Sequence, residues 1–457
     1  MQTAGVHEHW SSRIAFIMAA VGSAVGLGNI WRFPYIAGES GGGAFFVVYI
    51  ACILLIGAPI LMAELMIGRR GQMSPPNSYH DVARMHGKSG LWKGAGILGV
   101  VAAVLLLSFY SVIGGWSVAY LFGTATGAMA GTNATVAQNN FHGFLGDPLR
   151  LGAWHLVFMG ATVWVVARGI KAGLEKAATW LMPSLFVFLL IIVGYAAVAG
   201  EFAHGLSFLF STDFSKITGK VVLTAMGQAF FTLSLGMGTM ITYGAYLSRE
   251  VSIPRASGII VVADTLVATL AGIAIFPIVF ASGLEPGSGP GLVFITLPIA
   301  FAGMPGGTII GTLFFALLVF AAITSSISIL EPPVSWLEEH KGYRRSSIAA
   351  IVGVLGWVIG LFAVLGYNIL SDVHPLAFVS ALAGKDILDS FDYIVSNILL
   401  PVGGLLAALF AGWVMSKETL LEELGVADGP FFRIWRFLAR YVAPAAVFIV
   451  LVTSLKG

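Results

Sequence analysis

A helix that crosses a bilayer must satisfy its backbone hydrogen bonds internally, and one stretch near the N-terminus is poorly suited to that. Residues Ala15 to Pro34 read Ala-Phe-Ile-Met-Ala-Ala-Val-Gly-Ser-Ala-Val-Gly-Leu-Gly-Asn-Ile-Trp-Arg-Phe-Pro, about the twenty residues that span a hydrocarbon core. Gly22, Gly26 and Gly28 interrupt its middle, followed by Asn29 and Arg32. Each glycine costs a helix about 1 kcal/mol relative to alanine. An arginine at membrane depth costs about 3 kcal/mol even on insertion-based scales. A segment that accepts both penalties lines something wet. It reads as a transmembrane helix broken near the midplane, with freed carbonyls able to hold an ion.

The rest of the chain agrees with a membrane setting. Of 457 residues, 58% are apolar and 10% charged, against about 25% charged in soluble domains. Apolar runs of spanning length fall near 12–36, 42–68, 94–123, 152–168, 178–199, 221–247, 257–282, 308–338, 347–369, 393–415 and 434–454. They predict eleven transmembrane helices in an all-α polytopic protein. The Gly- and Pro-rich stretch 284–307 reads as a partly helical hairpin outside the membrane. Cys52 is the single cysteine, so no intrachain disulfide forms. The first apolar run ends in Trp-Arg-Phe-Pro, which is no signal-peptidase site. With the N-terminus in the cytoplasm, seventeen of the 24 Lys and Arg residues fall in inner loops, among them Arg69, Arg70, Arg249, Arg345, Arg433, Arg436 and Arg440. Arg150, Lys216, Lys220, Lys385 and Lys456 fall outside, so the expected orientation is N-terminus in and C-terminus out.

The sixth span repeats the anomaly of the first, as Gly227-Gln228-Ala229-Phe230-Phe231-Thr232-Leu233-Ser234-Leu235-Gly236-Met237-Gly238-Thr239. Interrupted helices at matching positions of two halves point to an inverted-repeat transporter with a midplane site. Glycine alone reads equally well as a small-residue packing face. The adjacent Asn29, Arg32, Gln228 and Thr232 favour the wet site. The eighth span adds Thr324-Ser325-Ser326, hydroxyls that either bond neighbouring helices or, beside two broken helices, ligate Na⁺.

These residues resemble the neurotransmitter:sodium symporters, in particular their bacterial amino-acid branch. The motifs that carry the resemblance are Val25-Gly26-Leu27-Gly28-Asn29-Ile30-Trp31-Arg32-Phe33-Pro34, Gly41-Gly42-Gly43-Ala44-Phe45, Gly227 to Gly238, and Thr324-Ser325-Ser326. The resemblance covers essentially the whole chain. It implies a single transporter domain, 1–457, with the 5+5 inverted repeat of leucine-transporter-like folds. The first repeat would run about 10–200 and the second about 215–415, with an added helix at about 430–454 and helices 1 and 6 broken at midplane. It implies sodium-coupled amino-acid uptake by alternating access, and no enzyme activity. Two sodium sites follow. The first would use the Ala24 carbonyl, Asn29, Thr232 and Asp264. The second would use the carbonyls of Gly22, Val25 and Ala321 and the hydroxyls of Thr324 and Ser325. Asp264 stands where asparagine is more usual. Animal relatives bind chloride with groups matching Tyr49, Gln228 and Thr232 plus a serine that is Ala268 here. A built-in carboxylate would replace the anion, so no chloride requirement is expected. The competing reading keeps Asp264 protonated at rest, as a group for proton counter-transport.

The same resemblance implies a substrate pocket of Ala24, Gly26, Gly28, Leu106, Tyr110, Phe231, Thr232, Ser234, Met237, Ser326 and Ile329. Gly26 leaves room for a substrate carboxylate, and the apolar lining suits a hydrophobic α-amino acid. A γ- or β-amino acid or an imino acid is the alternative. Met237 is adaptable, so breadth is expected. Arg32 and Asp392 would form the outer gate above Phe231 and Tyr110, with Gln228 nearby. His7, Trp10, Tyr246 and Glu339 would form the inner gate. His7 replaces the family's arginine, and either makes that gate pH-sensitive or is a solvated tail residue. Glu64 would brace the first broken helix; Glu331 is an intramembrane carboxylate without an expected partner. A non-transporting sensor or an intramembrane enzyme would need an added domain or a catalytic dyad, and neither pattern is visible. The expected partners are the amino acid, sodium and the lipid bilayer, with no nucleic acid and a monomer sufficient for transport. The expected location is a bacterial inner membrane.

Overall fold

The computed structural model describes residues 8–129, 131–286, 291–341, 343–379 and 382–454, and contains no strand among them. Its first apolar segment is two helices, α1 (Arg13–Ala24) and α2 (Gly28–Glu39), bent by 43°. Then come α3 (Gly43–Gly71), α4 (Gly90–Ala125), α5 (Pro148–Val166) and α6 (Ile170–Ala199). The second interrupted segment is α7 (Gly219–Thr232) and α8 (Thr239–Ala245). The chain continues through α9 (Ile253–Ala281), α10 (Leu292–Gly303), α11 (Gly307–His340), α12 (Arg345–Leu365) and α13 (Ile387–Val414). It closes with α14 (Lys417–Leu424) and α15 (Pro430–Thr453).

Among the described residues nine helices are long and apolar enough to cross a membrane, or ten with the α1–α2 pair. The eleventh expected span is the α7–α8 pair, whose arms of 14 and 7 residues are each too short alone. Most boundaries lie within a few residues of those expected. The largest difference is at α6, which begins at Ile170 and not near 178. Lys171 and Lys176 ended the apolar run, but long cationic stems extend to water while their helix continues. The hairpin at 284–307 contains α10; residues 287–290 lie outside the described residues.

Local chemistry sets the ends. Ser12 caps α1 by accepting from Ala15 N at 3.1 Å, satisfying one of the first-turn donors. Between α7 and α8 the backbone leaves the helix through Ser234 (φ 55°) and Gly236 (φ 80°). The left-handed region is uncommon for a non-glycine residue, and the surroundings must enforce it at Ser234.

Tight packing around these breaks depends on small residues, as in other membrane helices. A Cβ on Gly68 would overlap the Ile241 carbonyl, and one on Gly244 would meet the Leu65 carbonyl at 2.5 Å, so α3 and α8 touch backbone to backbone. Polar ties hold the end of the bundle that carries α14. Arg69, 4% exposed, pairs with Glu423 Oε2 at 2.8 Å and donates to Val251 O at 2.7 Å. It also donates to the Glu423 carbonyl. A buried guanidinium is tolerable only with its donors occupied in this way.

Candidate transport site

The two helix breaks face each other at the centre of the bundle. Ser234 Oγ donates to Ser23 O at 2.9 Å, stitching one break to the other. In the first break Gly26 N donates to Asn29 Oδ1 at 3.0 Å, and Leu27 N to Tyr110 Oη at 3.2 Å. Gln228 Nε2 reaches across from α7 to Gly28 O at 2.6 Å. Glu64 differs from expectation. Its Oε1 accepts from Gly236 N at 2.7 Å, so it braces the second broken helix and not the first. An amide freed by unwinding needs an acceptor wherever it lies, and Glu64 on α3 is beside the α7–α8 gap.

Around this centre lies a cavity of about 10 Å³, the room of a single water. Its lining includes Ala24, Gly26, Gly28, Leu106, Tyr110, Phe231, Thr232, Ser234, Met237 and Ile329. Ten of the eleven expected pocket residues are therefore brought together. Ser326 is not among them. Its hydroxyl turns to Thr162 Oγ1 at 2.8 Å and Ile323 O at 3.0 Å. Ser325 and Ser23 line the cavity in its stead. On a helix, adjacent residues point about 100° apart, so in a Thr-Ser-Ser run only one register faces the cavity. Ser326→Ala is expected to change substrate affinity less than twofold, and Ser325→Ala to weaken it at least tenfold. Equilibrium binding of labelled substrate to the two purified variants checks this.

Three of the four expected first-sodium residues, Asn29, Thr232 and Asp264, form one cluster, and the fourth, Ala24, lines the central cavity with Thr232. Asp264 is fully buried. Its Oδ1 accepts from Asn29 Nδ2 at 2.8 Å and Thr232 Oγ1 at 2.7 Å, and its Oδ2 from Tyr49 Oη at 3.2 Å. No ion pair joins it to a lysine or arginine among the described residues. A buried carboxylate without a protein cation is costly, and a bound cation offsets that cost. Of the groups expected to match a chloride site, Tyr49 and Thr232 donate to Asp264 and Gln228 donates to Gly28 O. Of the expected second-sodium residues, Ser325 meets Gly22 across the helices and Thr324 meets Ala321 along α11, while Val25 takes no part in these contacts. Ser325 Oγ lies 3.3 Å from Gly22 O and 3.1 Å from Ser23 O, and Thr324 Oγ1 lies 3.0 Å from Ala321 O. Hard oxygens and no cationic side chain make both clusters fit for Na⁺.

Tyr110 and Phe231, with ring centroids 6.5 Å apart, also line a second cavity of about 40 Å³ and so separate the two. Arg32 stands 4.6 Å over the Phe231 ring and reaches Asp392 at 3.3 Å. At the opposite end Trp10 donates to Tyr243 O at 3.2 Å and is buried. Glu339 accepts from Ser74 N and Asn77 Nδ2, both at 2.6 Å. His7 lies outside the described residues. Tyr246 Oη donates to Glu331 Oε1 at 2.9 Å, and Arg345 pairs with Glu331 and Glu338. The Arg345 partnership was not legible in the sequence, because it forms across a helix-to-helix connection whose geometry no local pattern fixes. The small central cavity is thus covered at both ends.

A model of the sodium:neurotransmitter symporter family matches residues 7–144 and 149–457. The chain belongs to this family. The symporter is 40% identical over 444 residues to YhdH of Bacillus subtilis, an uncharacterized sodium-dependent transporter, with 96% of each chain covered. It is 30% identical over 455 residues to MJ1319 of Methanocaldococcus jannaschii, also an uncharacterized sodium-dependent transporter, covering 96% of this chain and 88% of that one. The crystal structure of MhsT in complex with L-phenylalanine is similar at a TM-score of 0.91 and 43% identity, covering 98% of this chain and all of that one. The symporter is accordingly a multi-pass, sodium-coupled membrane transporter.

Proposed function

We propose that the symporter takes up hydrophobic α-amino acids with two sodium ions, without chloride, by alternating access. The observation that carries this reading is the central cavity. It is apolar at Leu106, Phe231, Met237 and Ile329, and polar where the two unwound segments meet Tyr110 and Ser325. The substrate carboxylate sits against Gly26, Gly28 and Tyr110, beside the first sodium. Its amino group meets carbonyls around Phe231, Thr232 and Ser234. L-Phenylalanine in the similar MhsT structure supports a hydrophobic side chain.

In the cycle, sodium orders both helix breaks from outside and the amino acid completes the first site. Phe231 and Tyr110 close beneath the Arg32–Asp392 pair. Arg32 is buried and Asp392 half-buried in that pair, so water reaches it from the Asp392 side and can take over the carboxylate as the gate reopens. Release inward then needs Trp10, Tyr246, Glu339 and the Glu331–Arg345 pair to part. The full topology is eleven helices in two inverted repeats, with the N-terminus in the cytoplasm of a bacterial cell and each monomer competent alone.

The test is binding of a panel of labelled amino acids to purified protein in NaCl, sodium gluconate and KCl. Binding of hydrophobic α-amino acids in both sodium salts, lost in KCl, is the expected result. Binding in NaCl alone overturns chloride independence. Sodium-dependent binding of γ- or β-amino or imino acids, with none of an α-amino acid, overturns the substrate class.

A further inference from the structure

Away from the transport site, α14 and the first turns of α15 border an open cleft of about 400 Å³. Four cations line it, Lys417, Arg433, Arg436 and Arg440, against one acid, Asp428. That acid is already shared, by Lys417 Nζ at 2.5 Å and Arg433 Nε at 3.3 Å. These contacts hold the Asp428 carboxyl below the usual carboxylate range, the hydrogen bond from Lys417 foremost. Glu418 is the other acid whose charge feels Arg436. Among the described residues neither Arg436 nor Arg440 has a carboxylate within ion-pair distance, and the Nε of each is buried without a hydrogen-bond partner.

Two neighbouring guanidinium groups that line an open cleft, with no carboxylate paired to them among the described residues, favour an anion from outside the protein. Arg440 is held in place for it, with its guanidinium 3.7 Å over the Trp413 ring. A planar guanidinium fork matches the two free oxygens of a phosphodiester.

The surface beside the cleft tells a lipid from a free anion. Arg433, Arg436 and Arg440 follow one helical face at spacings of three and four. Ile434, Phe437, Tyr441 and Phe448 follow the neighbouring face, spaced three, four and seven, and are 61%, 57%, 48% and 61% exposed. This apolar stripe runs from the cationic cleft along the span. A polar charged end continuous with a long apolar track is the outline of a phospholipid. We propose that this cleft binds the headgroup of an anionic phospholipid, with Arg436 and Arg440 on its phosphate and the acyl chains along the Ile434–Phe448 stripe. The orientation given above puts this lipid in the cytoplasmic leaflet. The site itself does not depend on the transport reading.

The experiment titrates delipidated, detergent-purified symporter with synthetic phosphatidylglycerol, phosphatidylcholine or glycerol phosphate and counts bound lipid by native mass spectrometry. Phosphatidylglycerol should bind at least tenfold tighter than phosphatidylcholine, and glycerol phosphate should not displace it. The Arg436→Gln/Arg440→Gln pair should lose about thirtyfold in phosphatidylglycerol affinity, as two interfacial charges predict. The exposed pair Arg84→Gln/Lys88→Gln, the same change in net charge elsewhere, should lose less than twofold. Equal binding of the two lipids overturns the proposal on wild-type protein alone, whether or not the variants fold. Full displacement by glycerol phosphate identifies a free-anion site instead. An equal loss in the Arg84/Lys88 pair reduces the effect to the general field of the surface, and also overturns it.

Discussion

Gly26→Ala is expected to lower substrate affinity at least a hundredfold while leaving the protein folded. A Cβ at this position would overlap Ser325 Oγ and stand 2.9 Å from Tyr110 Oη and 3.1 Å from Ser325 Cβ. Neither neighbour gives way freely. Ser325 Oγ is held by the Gly22 and Ser23 carbonyls, and Tyr110 Oη accepts from Leu27 N. Displacing them removes about two hydrogen bonds of roughly 1 kcal/mol each and adds an overpacking cost of about 1–3 kcal/mol. The same methyl group fills the space assigned to the substrate carboxylate and pushes a proposed ligand of the second sodium. Gly26 does not have a positive φ, so alanine leaves the helix break itself unstrained. Gly227→Ala is the matched control on the other broken helix, because its Cβ meets nothing closer than 3.7 Å. Binding in this variant should stay within about twofold of the wild type. Scintillation proximity binding and a thermal melt on each variant separate loss of site from loss of fold. Binding by Gly26→Ala within threefold of the wild type would remove the carboxylate from this position.

The sequence showed the breaks because they violate a strong rule. Glycine, asparagine and arginine do not belong in a lipid-spanning helix, so Gly26, Asn29 and Arg32 stood out without any structure. The span boundaries followed from length and hydropathy, and erred where charge and helix part company, as at Lys171 and Lys176. The pairing of Asn29, Thr232 and Asp264, separated by up to 235 residues, came from the family resemblance and not from spacing. Side-chain direction was the least legible. Ser325 and Ser326 are chemically equal in the sequence, and only the rotation of α11 decides which hydroxyl meets the cavity. Glu64 was assigned to the wrong broken helix for a similar reason. The freed amides of the first break are taken by Asn29 and Tyr110, and the one that meets α3 is Gly236 N of the second. Arg345 with Glu331 left no local signature, since it depends on how two helix ends are brought together, and the spacing of Arg436 and Arg440 did not show the cleft they line with Lys417.

Asp264→Asn is expected to raise the sodium concentration needed for half-maximal substrate binding about thirty- to a hundredfold in gluconate. The change keeps size and shape. It exchanges one carboxylate oxygen for an N–H donor amid Asn29 Nδ2, Thr232 Oγ1 and Tyr49 Oη, which all donate to Asp264 in the wild type. The two hydroxyls can turn and accept, so the cluster survives while its charge is lost. Hydrogen bonds to an ionised acceptor are about twice as strong as neutral ones, and Na⁺ loses the one anionic ligand that the protein itself gives the proposed first site. Together these terms amount to about 2–3 kcal/mol. Ala268 lies one helical turn from Asp264 and is fully buried. The double variant Asp264→Asn/Ala268→Ser places a hydroxyl near Tyr49 and Thr232 where the carboxylate has been neutralised. It should recover sodium affinity in chloride but not in gluconate, whereas the wild type should respond to both salts alike. Sodium titrations of substrate binding in the two salts test all three proteins. An unchanged sodium requirement in Asp264→Asn would mean that the carboxyl is neutral in the working site, and that its role is to carry a proton and not to stand in for an anion.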